Sequence, residues 1–116
     1  MIFQVLGSPT EDDIAYVTDE IGLKVINITD SSSPVTVGIL DTTGTASDVV
    51  ISGDNSTAYV ADGTSGLKII DVTAPGKPRL LGIFDTVGVT SHVILSSDSS
   101  RIFIADGDGG LKIIDV

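Results

Sequence analysis

Apolar positions in this chain come in short runs, not at helical spacing. Val35-Thr36-Val37-Gly38-Ile39-Leu40, Asp48-Val49-Val50-Ile51-Ser52, Ala58-Tyr59-Val60-Ala61 and Gly66-Leu67-Lys68-Ile69-Ile70-Asp71-Val72 are four such runs. Clusters of Gly, Asp, Asn, Ser and Pro separate them about every ten residues, which predicts short strands joined by turns. Gly53-Asp54-Asn55-Ser56 and Asp62-Gly63 read as turns by composition. No segment sustains a helical period, and Gly and Pro punctuate too often for one. Val49-Val50-Ile51 and Ile69-Ile70 are continuous rather than alternating, so the sheets are expected to be buried on both faces.

The pattern repeats. Gly22-Leu23-Lys24-Val25-Ile26 returns as Gly66-Leu67-Lys68-Ile69-Ile70 and as Gly110-Leu111-Lys112-Ile113-Ile114, with 44 residues between Leu23 and Leu67 and 44 between Leu67 and Leu111. Residues 29–72 and 73–116 align without a gap and agree at 22 of 44 positions, a match that requires duplication. The first unit is more diverged and one residue shorter at its turn, Asp19-Glu20-Ile21-Gly22. A repeat of this length with four strands and two buried faces fits one blade of a β-propeller. A solenoid would also bury both faces, but its turns contribute fewer strands per repeat.

The expected fold is therefore all-β, with blades of about four antiparallel strands, three blades in the chain, and the last blade lacking its outer strand. The chain reads as one domain, 1–116, with blades at about 1–44, 45–88 and 89–116. Within a blade the strand at 48–52 is expected innermost, then 58–62, then 66–72, with 78–84 at the outer edge. Three blades cannot close a ring of the usual 4–8. Their two bare apolar faces differ, so joining them is head-to-tail. The expectation is self-association as a homodimer that closes a six-bladed ring. The alternative is that the chain is a piece of a longer propeller.

The units resemble the LVIVD repeat family. The residues that carry the likeness are Ala58-Tyr59-Val60-Ala61-Asp62-Gly63, Gly66-Leu67 and Ile69-Ile70-Asp71-Val72, followed by Pro75 and Pro78. The third unit matches from Ile104-Ala105-Asp106-Gly107 to Val116. The first departs, with Thr18 before Asp19, Glu20 for the Gly and Asn27 where Asp71 and Asp115 stand. The resemblance implies a β-propeller and an extracellular or cell-surface setting. It implies no activity.

Composition narrows the partners. Six Lys+Arg against sixteen Asp+Glu give a net charge of −10, which repels phosphate backbones and anionic membrane surfaces. Nucleic acid and membrane insertion are not expected. No run reaches the ~18 apolar residues of a membrane-spanning helix. Met1-Ile2-Phe3-Gln4-Val5-Leu6 lacks the basic region and long apolar stretch of a signal peptide. There are no cysteines, hence no disulfide, thiolate metal site or Cys nucleophile.

The candidate chemistry is sparse. Asp62-Gly63 and Asp106-Gly107 recur but read as tight turns, where Gly supplies positive φ. Asp106-Gly107-Asp108-Gly109-Gly110 lacks the spaced acids and terminal Glu of a calcium loop. Asp71 and Asp115 are expected to cap loop amides between blades. Lys24, Lys68 and Lys112 recur at one position and read as solvent-exposed strand lysines whose stems cover apolar surface. His92 is the lone histidine and has no triad or zinc partner set. It aligns with Asp48 and, counting back by the repeat, with Gln4. If a ligand binds near the axis, Gln4, Asp48 and His92, with Ser47 and Ser91 beside them, are the expected contacts. No catalytic residue, cofactor or metal is expected. The leading reading is a non-enzymatic propeller module for binding or scaffolding of an unknown ligand. Its rival is a small hydrolase or lyase with a site at the channel mouth.

Overall fold

A computed structural model describes residues 2–7, 13–86 and 88–116, with side chains described from residue 13 onward. Its strands in chain order are β1 (Ile2–Gly7), β2 (Asp13–Thr18), β3 (Gly22–Asn27), β4 (Val35–Asp41), β5 (Asp48–Ile51), β6 (Thr57–Ala61), β7 (Leu67–Asp71), β8 (Arg79–Phe84), β9 (His92–Leu95), β10 (Arg101–Ala105) and β11 (Leu111–Asp115). One turn of 3-10 helix, Gly107–Gly109, is the helical element among the described residues. The strands form three antiparallel sheets, each in simple chain order: β1-β2-β3-β4, β5-β6-β7-β8 and β9-β10-β11. The expected order of strands within the middle unit is the one observed.

The sheets stack in sequence order. The first is packed against the second by Tyr16, Leu23 and Val25 on one side and Val49, Ile51, Ala58, Val60, Ile70 and Val72 on the other. The second meets the third through Tyr59, Ala61 and Leu67 against Val93, Ile102 and Ile104. Each sheet thus has a leading face toward its predecessor and a trailing face toward its successor. Side chains alternate faces along a strand, so Val60 points forward while Tyr59 and Ala61 point back. The middle sheet is buried on both, which is why its strands read as continuous apolar runs. The opening strands β1, β5 and β9 lie beside one another. The closing strands β4 and β8 are the most exposed, carrying Val35, Ile39, Leu80, Leu81 and Ile83 at the surface. Both slip register at the same repeat position, opposite Val25/Ile26 and Ile69/Ile70, so the duplication preserved even the bulge.

The register of β1 corrects one expectation. Asp48 pairs with Ala61 and His92 with Ala105, whereas Thr18, the counterpart of those alanines, pairs with Ile2. Gln4 pairs with Tyr16 and so takes the position of Val50, not of Asp48. The cause is the connection between the strands. Nine residues separate Val5 from its partner Ala15, against six between Ile51 and Ala58; with the first unit's β2–β3 turn one residue shorter, counting back by 44 lands two residues off.

Burying an aliphatic side chain of this size stabilises by about 1.5–3 kcal/mol, and removing it also leaves a cavity. Ile70 is wholly buried and Ile83 is 57% exposed. Ile70→Ala is expected to cost about 2–5 kcal/mol, and Ile83→Ala to fall within about 0.5 kcal/mol of the parent. Denaturant unfolding of the two variants checks the contrast.

Candidate functional site

The β6–β7 connection is the tight turn expected from Asp62-Gly63. Asp62 N donates to Gly66 O at 2.8 Å, Gly66 N to Gly63 O at 3.2 Å, and Gly63 sits at φ 63°. The Asp62 side chain does something else. It turns away from its own loop and receives the segment that links the first sheet to the second. Thr42 Oγ1 donates to Oδ1 at 2.6 Å, and Gly44 N donates to Oδ2 at 3.1 Å. Lys68 Nζ completes the set, donating to Oδ2 at 2.7 Å and to the Thr42 carbonyl at 2.8 Å. Asp62 and Lys68 are both buried. Lys68 is therefore not the exposed strand lysine that was expected; its ammonium reaches a carboxylate across the turn. Gly44 lies so near that a Cβ there would stand 2.2 Å from the Asp62 carbonyl oxygen, so a side chain at this position is sterically barred.

The same device recurs in the third unit. Gly88 N and Thr90 Oγ1 donate to Asp106 at 3.0 and 3.2 Å, and Thr86 and Thr90 share a hydroxyl contact of 2.7 Å. Burial pushes the Asp106 pKa up, but bonds from Thr86, Gly88 and Thr90 and the charge of Lys112 outweigh it, and the net shift is down. Lys112 itself donates to the Gly109 carbonyl. In the first unit the device is local. Asp19 accepts from the Ile21 and Gly22 amides and pairs with Lys24 at 2.7 Å. The Lys24 bond is the main reason the Asp19 pKa is lowered.

Of the residues expected near an axis, Ser47 and Asp48 are spent on joining sheets. Ser47 Oγ donates to the Ser91 carbonyl at 2.8 Å, and Asp48 Oδ2 accepts from Val93 N at 3.0 Å while Oδ1 accepts from Val49 N. Beside them Gly63 and Thr90 exchange two backbone bonds of 3.1 and 2.9 Å. Ser91 precedes β9 and His92 opens it, with Nδ1 3.2 Å from Oγ, and the imidazole is exposed. The Gln4 side chain lies outside the described part of the chain. Asp71 and Asp115 do not bridge the sheets. Asp71 caps the Thr73 amide and pairs with Arg79, which hold its pKa at about 2. Asp115 meets Arg101 at the surface.

Two further carboxylates stand in the β5–β6 and β9–β10 turns. Asp54 accepts from Ser52 Oγ, Ser56 Oγ and Ser56 N, and Asp98 accepts from Ser96 Oγ, Ser100 Oγ and Ser100 N. These bonds hold each at a pKa of about 2. No group of three or more His, Cys, Asp and Glu side chains suited to a metal occurs among the described residues, and no helix there is long and apolar enough to cross a membrane.

A family model matches the chain over all three units. The LVIVD repeat matches at residues 11–42, 43–86 and 101–116. The chain belongs to the LVIVD repeat family. Among solved structures, it is similar to a structural genomics protein of unknown function from Bacteroides thetaiotaomicron VPI-5482. That likeness has a TM-score of 0.61 at 14% identity, covers 92% of this chain and 31% of the other, and bears on the fold alone. The chain thus spans about a third of the length of that protein. Among curated proteins none matches. For LVIVD repeats of this kind, the conspicuous Asp-Gly signature is a structural fixture that ties one unit to the link from the last.

Removing one member of a buried ion pair strands the other charge. Asp62→Ala and Lys68→Ala are each expected to cost about 3–5 kcal/mol. Asp19→Ala, in a pair whose lysine is 32% exposed, should cost no more than about 1 kcal/mol. Chemical denaturation of the three variants measures the difference. Acid supplies a second test. Asp54, Asp71 and Asp98 ionise more readily in the fold than the ordinary 3.8. The stability they contribute is therefore complete above pH 3.8 and lost as pH falls toward about 2. Asp54→Asn and Asp98→Asn together should flatten that acid limb in a pH series of unfolding midpoints.

Proposed function

We propose that this chain is a non-enzymatic binding or scaffold module built from three blades of a β-propeller, the third without its outer strand. Family membership supports the reading, as do four-stranded units in simple order whose opening strands lie side by side. The observation that carries it is the employment of the recurring polar residues. Asp62, Lys68, Ser47 and Asp48 are the residues that a repeated active site would be built from, and each holds one segment of the chain to another. A catalytic site needs titratable groups converging on a reacting atom; here Asp62 and Lys68 are buried against each other and the Thr42 link, and Ser47 and Asp48 bond backbone atoms of the next sheet. Ligand contact then falls to His92, whose imidazole is exposed beside Ser91 on the opening strand of the third blade.

Turnover of nitrophenyl esters, phosphates and glycosides by the purified chain tests the reading. The expected rate equals that of buffer and does not change in His92→Ala. A rate above buffer that disappears in His92→Ala would contradict it.

A further inference from the structure

We propose that Asn27 and Asn55 are acceptors for N-linked glycans, transferred from a lipid-linked oligosaccharide as the protein is exported. They are the two asparagines of the chain, and each opens an Asn-x-Thr triplet, Asn27-Ile28-Thr29 and Asn55-Ser56-Thr57. That triplet is the acceptor sequence for N-glycosylation and belongs to surface loops of exported proteins. The repeat shows that the fold does not itself require asparagine at either place. Asn27 Oδ1 accepts from Thr29 N at 2.9 Å, and its counterpart Asp71 accepts from Thr73 N at the same 2.9 Å. Asn55 takes φ 62° in the β5–β6 turn, and Ser99, its counterpart, takes φ 61°. A carboxylate or a hydroxyl therefore serves the turn as well as a carboxamide does. Only the carboxamide offers a nitrogen. Where the third unit has Ser99, the second residue on is Arg101; where the second unit has Asn55, it is Thr57.

Both triplets lie at one end of the stack. β3 closes at Asn27, which pairs with Val35 at the start of β4. β4 runs from there to Asp41, and Thr42 just beyond it bonds Asp62. β6 begins at Thr57 and runs to Ala61, just before Asp62. Asn27 and Asn55 are therefore at the end away from Asp62. Thr90 bonds Gly63 and His92 follows closely, so the imidazole is at the Asp62 end. Glycans on the two asparagines leave that candidate contact open. The partner position differs as well. Asp71 gives its second oxygen to Arg79, whereas the residue paired with Asn27 is Val35, which makes no such claim on Nδ2.

In the transfer, Nδ2 attacks the anomeric carbon of the oligosaccharide. The N–C bond forms as the C–O bond to the lipid phosphate breaks, and the amide proton leaves to a base of the transferase. This chain contributes the carboxamide and the threonine hydroxyl two residues on, which the transferase reads. Asn27 and Asn55 are half-buried in the finished fold, so attachment precedes closure of the turns.

Peptide mass spectrometry of the protein isolated from its own cells is expected to find one glycan on Asn27 and one on Asn55. Asn27→Asp and Asn55→Ser install the residues that other units carry at these places, so the turns are kept, and each should remove one glycan. Thr29→Ser and Thr57→Ser keep the acceptor triplet and should keep the sugar. Bare asparagines in the wild-type protein, a glycan on one of them and not the other, or sugar that persists on the same peptides in Asn27→Asp and Asn55→Ser would overturn the proposal. None of these results bears on the stacked sheets or on the module reading.

Discussion

Burial of each sheet face against the next sheet is the constraint from which the rest of this structure follows. The strands carry Val, Ile and Leu on both sides, so no sheet here can be stable alone. The middle sheet meets the requirement in full, with Val60 and Ile70 covered by the first sheet and Leu67 and Ala61 by the third. The end sheets meet it on one side. This asymmetry, not any single side chain, divides the molecule into a well-packed interior and two apolar ends.

Apolar burial is not directional, and it cannot by itself hold stacked sheets at one angle and offset. The polar ties supply that. Asp62 receives Thr42, Gly44 and Lys68, so the link into the middle sheet is pinned to the turn of the same sheet. Asp48 and Ser47 pin the opening strands of neighbouring sheets at backbone atoms. A buried carboxylate is costly unless its bonds are satisfied, and the described buried side-chain polar atoms all have partners. Misplaced links would strip Asp62 of its bonds from Thr42 and Gly44 and Lys68 of the Thr42 carbonyl, which penalises alternative stackings. The recurrent Asp62 and Asp106 thus serve architecture.

Much of this was legible in the residues. The 44-residue spacing and the continuous apolar runs led to the strands, their order and the two-sided burial, because duplication copied the whole pattern of each unit. Three features were not. Gln4 was placed two residues out because the β1–β2 connection is longer than its counterpart, and a constant period hides such an insertion. Lys68 reads as exposed because a strand lysine ordinarily keeps its ammonium in water, and the run of apolar residues says nothing of a charged partner reached across a turn. A signal existed: Asp and Lys recur together in every unit, as Asp19 with Lys24, Asp62 with Lys68 and Asp106 with Lys112. The bond from the Val93 amide to Asp48 is not legible in the sequence because its donor is a backbone group without a sequence signature.

The chain has two tyrosines, and each lies at a different junction: Tyr16 between the first and second sheets, Tyr59 between the second and third. Nuclear Overhauser contacts from their rings test the stacking directly. The account predicts contacts from Tyr16 to methyl groups among Val49, Ile51, Val60 and Ile70, and from Tyr59 to methyl groups among Val93, Ile102 and Ile104. Contacts that cross these sets, with Tyr16 touching the third sheet or Tyr59 the first, would contradict it.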